Sequence, residues 1–291
     1  MIIINPRKIL ILALLSTFFS KAAPHGPIFG LGPDLIRKGG YAIEAEIEHE
    51  IVGKERESVL NAEIIYGATE YLSISAVMPF FLNVEHQENG TSQSFKSAGL
   101  DKIETQAKLR IYHDYQYGHR DQAVIIGGIR LPTISQAQDR DTRLPVHAKN
   151  PSLGNQSLDF FIALAAGREM LQKNYFCSLQ YVVNTRANHI KEGNELTLTL
   201  STGFRPSLIS YRDLDWFFSM EFNFINTEKS LKYGIPEINS GGYTGYIGPT
   251  VIVSKNNIAF KAGIQAPMFE QVNGEQDKHD LRFAAGLDLH F

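Results

Sequence analysis

The sequence predicts an all-β fold: a transmembrane antiparallel up-and-down β-barrel of about twelve strands, with both termini periplasmic. Three observations carry that expectation. Apolar and polar residues alternate with period two through most of the chain, which puts them on opposite faces of strands. The alternating runs are roughly 10 to 14 residues long, against about five or six for a soluble strand and about 9 to 11 for a strand that crosses a bilayer. The joins alternate between short and long, as expected when tight turns gather at one rim and longer loops at the other.

The chain opens with Arg7 and Lys8, an apolar run from Ile9 to Phe19, and Ser20-Lys21-Ala22 as a small-x-small site. That layout predicts a signal peptide over residues 1–22, since the apolar run is too short for a helical span. Residues 1–22 hold three basic residues and no acidic one, so the exported part is more acidic than the formal −3 of the whole chain. Residues 23–40 follow as a Pro- and Gly-rich stretch with no regular pattern, expected to be a periplasmic N-terminal segment or a partial plug, with a loosely held tail the favoured of the two. Pro24 has no amide proton, so Ala-Pro-His cannot form a square-planar N-terminal metal site through His25.

From residue 41 the alternation predicts a barrel over 41–291, with strands near 41–51, 57–66, 70–82, 101–113, 120–131, 156–167, 174–184, 194–205, 212–225, 243–254, 257–268 and 280–291. DLDWFFSMEFNF is the heaviest case, with Trp216, Phe218, Met220, Phe222 and Phe224 on one face. The joins 83–100, 132–155 and 226–242 are the long ones, and 132–155 is long enough to be functional by length alone. In the last strand Leu281, Phe283, Ala285, Leu287 and Leu289 share a face, and terminal Phe291 resembles the signal read by the barrel assembly machinery.

With apolar faces outward, the inner face carries Glu44, Glu46, Glu48, Glu50, Glu63, Asp159, Asp213, Asp215, Glu221 and Asp288, with Lys102, Lys108, Arg110, Arg130, Lys261 and Arg282 facing them. Two readings stand side by side. These residues line an ion-lined passage and tune selectivity, or they form a salt-bridge network that fills a small barrel. No catalytic, cofactor-binding or metal-ligating set is expected. The nine histidines are scattered without HExxH or His-x-His spacing, and Cys177 is the only cysteine. His49 and His113 fall on predicted outward faces, and the GLG and GG stretches lack a strand-to-helix context for phosphate. Charges are dispersed, with no basic stripe for nucleic acid.

The blocks YGATEYLSISAVMPF (66–80), SAGLDKIETQAKLRIY (97–112), GGIRLPT (127–133), GFRPSL (203–208) and AGIQAPMFEQVNGEQDKHDLRFAAGLDLHF (262–291) resemble the family described as the MetA pathway of phenol degradation. The resemblance runs from about residue 41 onward. It implies an outer-membrane barrel, transporter-like and non-enzymatic, in a Gram-negative cell after Sec-type export. Its partners would be outer-membrane lipid, the barrel assembly machinery and a small-molecule solute, aromatic or hydrophobic compounds among them, and it brings no cofactor. A surface-interaction barrel and, with less weight, a barrel lipid hydrolase are the alternatives.

Overall fold

The computed structural model describes residues 26–53, 55–87, 94–133, 157–207 and 214–291. The predicted signal peptide, Asp213 and most of the join 132–155 lie outside them. Strands in chain order are β1 (Tyr41–Val52), β2 (Glu55–Gly67), β3 (Leu72–Gln87), β4 (Ser94–Leu100), β5 (Ile103–Gln116), β6 (His119–Leu131), β7 (Asp159–Met170), β8 (Lys173–Val183), β9 (Arg186–Ala187), β10 (Ile190–Lys191), β11 (Glu195–Phe204), β12 (Asp215–Thr227), β13 (Leu231–Lys232), β14 (Ile235–Pro236), β15 (Gly242–Lys255), β16 (Ile258–Val272) and β17 (His279–His290). No helix occurs among the described residues.

Twelve long antiparallel strands form a closed ring. Each pairs with its neighbour along the chain, β3 meets β5, and β17 returns to β1. Closure is continued past the last strand, because Tyr41 and Phe291 exchange backbone hydrogen bonds of 3.1 and 2.8 Å. β4 prolongs the sheet beside β3. The four two-residue strands make a small second sheet from the joins after β8 and β12, and so project from the rim opposite Tyr41 and His290.

Tight turns collect at the rim that holds Tyr41 and His290, while one more, at Gly53 between β1 and β2, lies at the other rim. Tyr117-Gly118 joins β5 to β6 with Gly118 at φ 92°, and Asn256-Asn257 joins β15 to β16 with Asn256 at φ 55°. Glycine and asparagine are the residues that accept this left-handed backbone.

Outward positions form an apolar surface that no other part of the described chain covers. Ile43, Ile47, Ile74, Leu109, Ile125, Ile162, Leu164, Leu179, Leu200 and Ile264 are exposed along it. Aromatic residues collect toward both rims: Tyr41, Tyr66, Tyr71, Tyr175, Phe204 and Trp216 at one, and Tyr243 and Phe269 at the other, where they pack with Phe224. Inward positions are more buried, and in the middle of β6 and β7 they too are apolar, between polar residues such as Arg120, Gln122 and Arg130 toward the ends. Val124, Ile126, Phe161, Ala163, Ala165 and Val182 form one interior cluster.

Strand periodicity fails at several bulges, one of them at the seam, where the β1–β17 register shifts between Glu50 and Val52. Leu82, Ile111 and Met268 are the unpaired residues where the β2–β3, β5–β6 and β15–β16 registers shift. Each extra residue moves everything beyond it to the other phase. His113, expected outward, therefore pairs with inward Gln122 and shares the phase of Tyr115. His49 keeps its outward phase beside Phe283.

Adjacent Ile125 and Ile126 are 40% and 0% exposed. Ile126→Ala should lower unfolding free energy by about 2–5 kcal/mol in detergent micelles, the range for an uncollapsed core truncation. Ile125→Ala should cost clearly less, because detergent replaces the lost contacts, and denaturant titrations of both variants would show the difference.

Candidate functional site

The ring encloses a cavity of about 1370 Å³. Its two arcs differ in kind. On β1, β2 and β17 the inner face is acidic, because every second residue of EAEIEHE is a glutamate and β2 adds Glu57 and Glu63 at the same parity. Glu44, Glu46, Glu48, Glu57, Glu63 and Asp288 line the cavity there, with Lys261 and Arg282 as cations among them. Lys261 Nζ lies 3.3 Å from Glu44, 3.5 Å from Glu46 and 3.2 Å from Asp288. Arg282 reaches toward Glu48 and Glu50 at 4.0 and 3.8 Å and stacks over the Tyr246 ring at 4.9 Å. Tyr246 donates its hydroxyl to Glu50 at 3.0 Å. Asn61 donates to Glu48 at 2.7 Å, and Gln106 donates to Glu63 at 3.0 Å.

The basic residues of the other arc are each drawn to an acceptor. Lys102 is buried against Asp159 and Ser157, Arg130 pairs with Glu104 at 2.8 Å, and Arg205 pairs with Asp215 at 2.8 Å. Arg110 sits near the rim and donates to the Glu70 carbonyl at 3.3 Å. Lys108 donates to the Gly32 carbonyl at 2.9 Å. Of the inner charges read from the sequence, Asp159 and Glu221 are fully buried and do not line the cavity.

Glu221 has a different task, set by residues 26–40. Its carboxylate accepts the backbone N–H groups of Ile28 and Phe29, both at 2.9 Å, and the Thr250 hydroxyl at 2.9 Å. Asn223 donates to the Phe29 carbonyl at 2.6 Å. Further along, Asp34 accepts from Arg120 and Gln122 at 2.6 and 2.7 Å, while Arg120 also bridges to Glu169 at 2.6 Å. The Ile36 N–H donates to Ser73 at 3.1 Å. The segment runs inside the barrel, with Ile28 packed on Phe217, Ile252, Ala259 and Ala284, and Leu31 and Leu35 packed on the Val124–Ile126 cluster. These are contacts that a loosely held tail would not make. Gly30 permits the approach, since a Cβ there would fall 2.5 Å from the Thr199 side chain.

Sequence parity places Glu57, Arg120 and Gln122 on the inner face once the phase of Glu63 and Arg130 is known. Nothing in the sequence marked Asp34, which lies outside any periodic element. The inward apolar residues of β6 and β7 were a signal of a different sort: strands apolar on both faces need cover on both.

No family model matches the sequence, and no curated protein matches it. Among solved structures, the barrel is similar to the COG4313 outer membrane channel from Pseudomonas putida F1, with a TM-score of 0.71 over 93% of this chain and 100% of that one, at 10% identity. Looser likenesses are the NanC porin, at TM-score 0.49, 7% identity and 85% and 98% coverage, and the β domain of the Bordetella autotransporter BrkA, at 0.48, 13%, 87% and 100%. At these identities the likeness to the first is one of fold.

Hydrogen bonds to a charged group contribute about 1.5–3 kcal/mol each. Glu221→Ala should therefore release residues 28 and 29, so that their amides lose hydrogen-exchange protection while those of β12 keep it.

Proposed function

We propose that this chain is a channel of the Gram-negative outer membrane that passes small solutes through a lumen narrowed by its own N-terminal segment. The observation that carries the reading is the pairing of an uncovered apolar exterior with a charged interior that side chains leave incompletely filled. Water would be the wrong solvent for the outer surface and lipid the wrong one for the inner. Among sheets only a closed ring satisfies all main-chain groups within hydrocarbon, and this ring is closed. The aromatic collars at both rims match the levels where a bilayer meets water. In this reading the rim of tight turns, with Tyr41 and His290, faces the periplasm, and export is of the Sec type.

Carboxylates outnumber cations on the β1–β2–β17 arc, so the passage favours cations over anions. The resemblance to the MetA-pathway family supports aromatic or hydrophobic compounds as the solutes to try. Leu31, Leu35, Phe29 and Phe81 all line the cavity and give such rings an apolar surface beside the charges.

Single-channel recording of the refolded barrel in a planar bilayer tests the reading. Discrete conductance, a reversal potential favouring cations under a salt gradient, and a shift toward neutrality in Glu48→Gln/Glu57→Gln are the expected results. A folded barrel that carries no current, with or without residues 26–36, would overturn it. Lipid exposure of the outer face has its own test: Leu164→Arg, near the middle of β7, should cost about 2–4 kcal/mol of unfolding free energy in phospholipid vesicles.

A further inference from the structure

We infer that Glu44, Asp288 and His290 form a binding site for a divalent first-row transition ion at the seam where the barrel closes. Glu44 and Asp288 are direct cross-strand partners, and His290 stands two residues along β17, opposite Ala42. The period-two rule puts all three on the inner face, close to the rim that holds Tyr41. One ligand atom from each lies within 4.8 Å of the others. An ion held at about 2.0–2.2 Å by imidazole nitrogen and carboxylate oxygen draws its ligand atoms somewhat closer than this, a change that side-chain rotation supplies. All three residues line the cavity, which gives an ion a way in.

His290 is what distinguishes this place from the rest of the acidic arc. The residue is 4% exposed, and its Nε2 has no hydrogen-bond partner. A buried imidazole nitrogen left without a partner is costly and is explained by a ligand that completes it. Two carboxylates and one imidazole suit zinc, manganese or iron, whereas an all-oxygen set would suit magnesium or calcium.

Lys261 now occupies the anionic side of this site. Its ammonium is shared by Glu44, Glu46 and Asp288, so one cation serves three carboxylates. Arg282, the next cation along, is directed at Glu48 and Glu50 instead. A divalent ion entering between Glu44, Asp288 and His290 leaves Lys261 a partner in Glu46, and the local charge is then closer to balance. Lys261 is thus a competitor for the site, and this sets the sign of one variant apart from that of the others.

The test is calorimetric titration of tag-free, folded barrel with ZnCl2, with MgCl2 as comparison, and visible absorption of the Co2+-loaded protein as a sign of the coordination number at the site. The expected result is a single saturable Zn2+ per barrel and no comparable Mg2+ binding. His290→Gln and Asp288→Asn should each weaken Zn2+ by at least the roughly 10–100-fold that even an outer-shell partner is worth. Lys261→Gln should tighten it, an effect that general loss of structure does not produce. Heat-modifiable gel mobility establishes that each variant is folded. No Zn2+ binding by the folded parent, or binding unchanged in both His290→Gln and Asp288→Asn, would overturn the site. The measurement does not depend on whether the lumen conducts, so it stands or falls apart from the channel reading.

Discussion

The closure of the sheet is the constraint on which everything else depends. A main-chain amide or carbonyl left unpaired in an apolar setting costs several kcal/mol, and an open sheet would leave a whole row of them. β1 therefore meets β17, and the pairing is carried to the last residue by Phe291 and Tyr41. Once the ring is closed, each strand has only one way to face. A slip of one residue at the seam would turn Glu44, Glu46 and Glu48 toward the apolar side together. The same register that hides the edge also brings a carboxylate of the first strand against a carboxylate and an imidazole of the last.

The interior divides according to what covers it. Where inner side chains are apolar, on parts of β6, β7, β12 and β15, residues 28–35 lie against them. Where they are carboxylates, the cavity stays open. The segment itself has main-chain groups to satisfy and no strand beside it, so side chains do the work: Glu221, Asn223, Lys108 and Ser73 each take one or two of them. Glu221, which alternation alone counts among the lumen charges, is in this sense a structural anchor.

Strand order, number and facing were legible because period two is a local property and most of the barrel obeys it. β11 and β12 show this well: LTLTLSTGF and DWFFSMEFNF need only their phase to be read. Residues after Ile111 were misread because a bulge is one extra residue, and nothing in RIYHDY announces which residue is extra. The course of residues 26–36 was illegible for another reason. Its partners are spread over β3, β5, β6 and β12, and a segment without periodicity carries no record of them. The apolar inner positions Val124, Ile126 and Phe161 held the only hint that something must lie there.

The anchoring of residues 28 and 29 on Glu221 spans 193 and 192 positions of sequence. Contacts of such separation are slow to form, and these also need β12 already set in its neighbours before its inner face exists as a surface. The ring must then exist before the segment can settle in it, so the newly closed barrel passes through an interval with its interior unobstructed. Narrowing of the lumen on this account follows closure of the sheet, and its timing is a property of residues 26–36 rather than of the strands.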